Sequence, residues 1–198
     1  MIVVVATLIG MTLATVSGGR FRRFANLEMR SLWVIWMTIV VQTLLFELPP
    51  TLVSDSVYAK VHIGTYGAAF LFLWLNRRIP GATIIGIGAG SNAVAIVANG
   101  GVMPASPAAW KTAGFQAAAE GEFENSDITP DADLALLGDI FAIPASWPLS
   151  NVFSIGDIVI VLGGTYFAYV WSRRQLTSNA WPAPETSARV HAVPTPVG

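Results

Sequence analysis

Asp157 is the residue in this chain best placed to do chemistry. It stands in Asn151-Val-Phe-Ser-Ile-Gly-Asp157, within an otherwise apolar run, where a carboxylate is costly unless paired, wet or protonated. A carboxylate so placed can bind a cation, carry a proton or act as a general acid or base. Asn99, His62 and Lys60 are the compensating partners expected for it. Asp139, in Leu137-Gly-Asp-Ile-Phe-Ala-Ile-Pro144, and Asn151 belong to a segment able to fold over the same region. Gly88, Asn92, Ala95 and Asn99 fall on one helical stripe. The two asparagines either glue packed helices, for ~0.6 kcal/mol each, or line a polar cavity. In Asn99-Gly-Gly-Val-Met-Pro104, Gly100 and Gly101 suit a left-handed helix stop. They would also suit a nest of N–H groups for an anion or head group, with Met103 and Pro104 beside it. His62 and Tyr66, four apart, can stack or hydrogen-bond.

Other chemistries fail on their own requirements. The chain has no Cys, so disulfides, thiolate metal sites and iron–sulfur clusters are out. A bis-His haem or pigment site needs a second His in an apolar run, and His191 lies in the polar tail. The string Gly86-Ile-Gly-Ala-Gly-Ser-Asn92 lacks the last glycine and the strand–helix–strand setting of a dinucleotide loop. Asp131-x-Asp133 has Leu136 where a calcium loop needs Gly. No Gly-x-Ser-x-Gly elbow occurs. A net charge of −1 gives no electrostatic case for nucleic acid. No metal and no cofactor is expected.

The elements that must position these residues follow from the charges. Only 12% of the 198 residues are charged, about half the soluble average, and 54% are hydrophobic. Residues 2–19, 31–46, 61–76, 79–110 and 140–156 carry no charge at all. The expected fold is an all-α integral membrane protein with about five transmembrane helices, near 2–17, 31–48, 57–76, 80–99 and 152–171. Pro49-Pro50 stops the second, and Pro80 suits the first turn of the fourth. Ala82, Gly86 and Gly90 make a small-residue packing face on the fourth. Residues 1–172 form one membrane domain, and 173–198, rich in Pro, Ser and Thr, a disordered cytoplasmic tail.

Arg20, Arg22, Arg23, Arg30, Arg77, Arg78, Arg173 and Arg174 fall on one side of this alternation. Most acids fall on the other, so the N-terminus is expected outside and the C-terminus in the cytoplasm. The loop 100–151 is then extracytoplasmic. Ser106-Pro107 starts a short amphipathic helix in it, over 108–119, and 134–140 forms another helical turn.

The Asn76…Pro80-Gly81 turn, Asn99-Gly-Gly-Val-Met-Pro104, Leu137–Pro144 and Asn151–Asp157 together resemble a bacterial membrane family of unknown function. The likeness covers most of 1–172 and is strongest from Asn76 to Asp157. It implies a small multi-span protein of the bacterial inner membrane and brings no activity. The expected function is a non-enzymatic accessory subunit or transport-related component with an outward-facing polar site. Its partners would be the bilayer, other membrane proteins or further copies of itself, and a lipid or small polar ligand. Two alternatives stand beside it. One is a membrane enzyme on a lipid-linked substrate, with Asp157 or Asp139 as acid/base. The other is a proton or ion pathway in an oligomer.

Overall fold

The computed structural model describes residues 27–47, 53–115, 126–129 and 131–173, with positions 9, 10, 12–16, 18, 20 and 24. Most of the expected first span and the tail beyond Arg173 lie outside the described residues. Four long helices carry the fold: α1 (Leu32–Glu47), α2 (Asp55–Leu75), α3 (Ala82–Ala98) and α5 (Ile155–Arg173). Between α3 and α5 come β1 (Met103–Pro104), the short α4 (Pro107–Ala113), β2 (Ser126–Asp127), a 3-10 turn (Ala135–Leu137), β3 (Phe141–Ile143) and β4 (Asn151–Phe153). The expectation of helices alone is therefore amended. β1 pairs in parallel with β2, and β3 antiparallel with β4.

Among the described residues, α5 is the one helix both long and apolar enough to cross a membrane; Leu32–Leu44 and Ala82–Ala98 are shorter apolar helices. Large apolar side chains point outward along all four, among them Trp33, Trp36, Trp74, Ile87, Val94 and Leu162.

Small residues occupy the interior. The most extensive helix contact is α3 on α5. A Cβ on Gly88 would lie 2.5 Å from the Gly156 carbonyl oxygen and 2.9 Å from the Ile160 amide nitrogen. One on Gly163 would lie 2.8 Å from the Ile85 amide nitrogen. The close face is thus Gly81, Gly88 and Asn92 against Gly156 and Gly163. The expected Ala82/Gly86/Gly90 face is different: Gly86 and Gly90 look loosely onto Leu73 and Phe70 of α2, at 3.9 and 3.5 Å. Gly81 caps α3 in the left-handed region (φ 83°), so the helix starts after it rather than at Pro80.

Two asparagines at helix ends use one device. Asn76, which caps the C-terminus of α2, accepts from the Arg30 backbone N–H through Oδ1 (2.8 Å). Its Nδ2 donates to the Arg30 and Phe72 carbonyls (2.9 and 2.8 Å). With the Arg20 N–H bonded to the Ser172 carbonyl (3.0 Å), this gathers Arg20, Arg30, Arg77, Arg78 and Arg173 at one end of the bundle. At the opposite end Asn99, the C-cap of α3, accepts from Asp133 N–H (3.0 Å). Its Nδ2 donates to the Asp133 and Ala95 carbonyls (both 2.8 Å). Each amide imitates a strand neighbour for one distant residue and fastens the chain there.

The described residues of 100–153 build a cap on that second end. Ser106 Oγ accepts from Ala109 N–H (3.1 Å) with Pro107 at the first helical position, as the sequence predicts. α4 ends early, at Ala113, because Gly114 takes a left-handed conformation (φ 77°); residues 116–119 lie outside the described residues. Its buried face, Ala109, Trp110 and Ala113, packs with Ala105 and Val152.

Candidate functional site

The capped end collects most of the residues singled out from sequence, in three separate hydrogen-bond groups rather than one. The first is built by the start of α5. Residues 151–153, β-branched and aromatic at Val152 and Phe153, run as a strand against β3, so the helix begins only after Ser154. Asp157 is therefore in the first turn, not two turns deep. Ser154 and Asp157 form a capping box. Asp157 N–H donates to Ser154 Oγ (3.0 Å), and Ser154 N–H donates to Asp157 Oδ2 (3.0 Å). Asn92 completes the group from α3. Its Nδ2 donates to Asp157 Oδ1 (3.0 Å), while its Oδ1 accepts from Ser154 Oγ (2.9 Å). Ser154 is wholly buried and Asn92 nearly so.

Asp157 is thus compensated by Asn92, Ser154 and the positive end of its own helix. The expected partner Asn99 is committed elsewhere, to Asp133. The polar stripe also changes meaning: Asn92 faces α5, and Asn99 fastens the cap. The signal is local and readable: Ser154-Ile-Gly-Asp157 is an S-x-x-D box.

The second group surrounds Asp139, which is buried. Ser126 Oγ donates to its Oδ2 (2.6 Å), its N–H donates to the Pro104 carbonyl (2.8 Å), and its carbonyl accepts from Ser106 N–H (3.0 Å). One residue thereby ties β1, β2 and the start of α4 together. Burial, against the Ser126 hydrogen bond and helped by the nearby Asp157 charge, pushes its carboxyl up to about 6. Tyr66 of α2 lies within electrostatic reach of both carboxylates and packs on Ala95, Ile96 and Met103.

A carboxyl near 6 in the fold and 3.8 unfolded stabilises the fold fully below pH 3.8, and that contribution is lost as pH rises through 6. The two-unit difference is worth ~3 kcal/mol. Asp139→Asn should therefore melt like the parent near pH 4 and up to ~3 kcal/mol more stably at pH 7.5. Thermal melts of both proteins from pH 4 to 8 check this, and a pH-independent difference would refute the assignment.

The third group is Asn99 with its two glycines. Gly101 N–H donates to the Ile96 carbonyl (2.8 Å) and Gly100 N–H to Val97 (3.4 Å), a Schellman stop with positive φ at both. These N–H groups are consumed by the helix end, which leaves no nest. A Cβ on Gly101 would also strike Ala59 of α2. Asn151 pairs with Ile143 in the β3–β4 hairpin, outside all three groups. His62 is buried on α2, its ring edge-on to Tyr66 (centroids 5.4 Å apart) and its Nδ1 3.5 Å from Gln42 Nε2. The expected His62–Tyr66 contact is present. Among the described residues no cluster of His, Asp and Glu is arranged to hold a metal.

A family model matches residues 26–169, which takes in α1 to α4, most of α5 and all three groups. The chain belongs to the DUF5317 family, a family of unknown function. In this member of the family the matched region holds an arginine-bearing end, a glycine-lined α3–α5 pair and a clamped cap. It is also similar to an "Uncharacterized protein" of Thermotoga maritima, 30% identical over 113 residues, which is 57% of this chain and 65% of that protein. The chain thus spans a little under two thirds of that relative's length. No solved structure matches it.

Proposed function

We propose that this chain is a small multi-span protein of the bacterial inner membrane, an accessory subunit that docks a membrane partner through its extracytoplasmic cap. One observation carries the docking role. The cap is fastened by Asn99, Asp139 and the Ser154–Asp157 box, yet it turns Leu134, Leu136, Trp147 and Leu149 outward, at 50, 76, 68 and 48% exposure. Leu134 and Leu149 hold positive φ (52° and 64°), a conformation that costs a leucine about 1 kcal/mol or more. Strain spent on presenting apolar side chains suits a contact surface.

The membrane reading rests on the outward apolar side chains between the arginine end and the acidic end, a pattern suited to lipid. The arginines clustered at one end suit a cytoplasmic face, with the C-terminus on that side. A second reading draws on Asp139. A buried carboxyl near 6 suits an acid/base at neutral pH, acting on a lipid-linked substrate or handing on a proton.

The Cys-free chain permits one experiment on both orientation and docking. The Trp147→Cys variant should react with an impermeant thiol reagent in intact cells, and the Ser187→Cys variant only after lysis. A short cross-linker on the thiol of the Trp147→Cys variant should then give one defined adduct with another membrane protein. Reversed labelling refutes the orientation, and labelling without any adduct refutes the docking role.

A further inference from the structure

An apolar groove runs between α1 and α2, with a volume of about 440 Å³. Trp33, Met37, Val61 and Leu71 form its walls, and Gly64 and Ala68 its floor. A Cβ on Gly64 would meet nothing within 4 Å, so the floor is open rather than packed. The hydroxyls in its lining are already committed: Thr38 donates to the Val34 carbonyl (2.8 Å) and Thr65 to the His62 carbonyl (2.6 Å). The groove therefore offers an occupant dispersion contacts and no hydrogen bonds.

Gly10 lies against α5, where an added Cβ would collide with Thr165, so the described residues around it sit on another helix and not in this groove. A single acyl chain, which asks for dispersion contacts and no hydrogen bonds, is the occupant such a lining suits.

One end of the groove is charged. Arg30 lies just before the start of α1, and the Asn76 clamp holds its backbone beside the end of α2, where Arg77 and Arg78 follow. All three arginines are exposed. Arg77 lies over the Trp74 ring at 4.5 Å and its Nη1 donates to the Trp74 carbonyl (2.9 Å), so its other N–H groups are the ones left for an anion. Among the described residues near this end, Glu28 is the lone acid beside them.

We propose that this groove is a binding site for one anionic phospholipid, its acyl chain on Gly64 and Ala68 and its phosphate among Arg30, Arg77 and Arg78. The inference rests on the membrane reading above and adds a ligand class and a leaflet to it, the cytoplasmic one. Each basic side chain beside an anionic head group is worth roughly fivefold in affinity.

The test is native mass spectrometry of the full chain in mild detergent, titrated with dioleoyl phosphatidylglycerol or dioleoyl phosphatidylcholine. The parent should retain one phosphatidylglycerol in clear preference to phosphatidylcholine. Arg30→Gln with Arg78→Gln should lower that preference by about 25-fold while leaving phosphatidylcholine retention unchanged. Ala68→Phe should abolish retention of both; if that variant does not fold, the exposed arginine pair alone decides. Equal retention of the two lipids by the parent overturns the proposal. So does a dimer that Ala68→Phe dissociates, which would give the groove to a second copy. Alkaline carbonate extraction separates the two levels. A chain that stays in the membrane pellet without lipid preference refutes the lipid site alone, and a chain released by carbonate refutes the membrane reading with it.

Discussion

Gly156→Leu should unfold the α3–α5 pair, while Gly90→Ala should leave it intact or strengthen it. On Gly156 the first added carbon collides with Asn92 Oδ1 and lies 2.6 Å from the Gly88 carbonyl oxygen. Neither neighbour can yield cheaply. The carbonyl is helix backbone, and the amide oxygen is bonded to the buried Ser154 hydroxyl (2.9 Å). Overpacking a soft core costs ~1–3 kcal/mol, and pushing two helix backbones apart exceeds that. A loss of ~4 kcal/mol or more is a large part of the ~5–15 kcal/mol that holds a typical domain. Gly90 is the control from the same helix. A Cβ there meets the Phe70 ring at 3.5 Å, an ordinary contact, and relieves the ~1 kcal/mol that glycine costs a helix interior. Thermal melts of both variants beside the parent check the contrast. Equal shifts would mean that the α3–α5 approach is not as close as described.

That contrast marks how far the sequence could be read. Helix spans could be placed, because charge-free runs and prolines bound them: expected 31–48 became Leu32–Glu47, and 57–76 became Asp55–Leu75. Small residues on the fourth segment were visible, but which face met which helix was not. Glycines at 81, 86, 88 and 90 suit several rotations, and the partner's Gly156 and Gly163 decide among them only in three dimensions. The clamp role of Asn99 was hidden for the same reason. Its partner is the backbone of Asp133, thirty-four positions away, and a backbone N–H and C=O leave no trace in residue type. The Asn76 clamp was missed likewise. The helix start at Ser154 was readable locally. The long apolar run from 140 to 156 masked it, because apolar strand and apolar helix look alike until the cap is recognised.

Asp157→Leu should be strongly destabilising, against the expectation for a costly buried charge that an apolar replacement is neutral or better. The difference lies in what surrounds the carboxylate. Leucine removes the acceptor of Ser154 N–H and of Asn92 Nδ2, and both residues are buried. Losing the cap costs ~1 kcal/mol, and each of the two stranded donors adds ~1–3 kcal/mol, so a total of ~3–7 kcal/mol is expected. Asp157→Asn keeps an acceptor for Ser154 and should cost less, since only its amide confronts that of Asn92. Coupling then separates the Asp157 group from the Asn99 group. Asn92→Ala and Asp157→Leu together should lose at least ~1 kcal/mol less than the sum of the singles, because they share one bond. Asn99→Ala and Asp157→Leu should add, because Asn99 fastens Asp133 and shares no partner with the α5 box. Denaturation of the singles and doubles gives both coupling terms. A strong Asn99–Asp157 term would join the two groups into one site. Additivity there with coupling at Asn92 assigns Asp157 to the helix start, and leaves Asp139 as the acid whose protonation the fold controls.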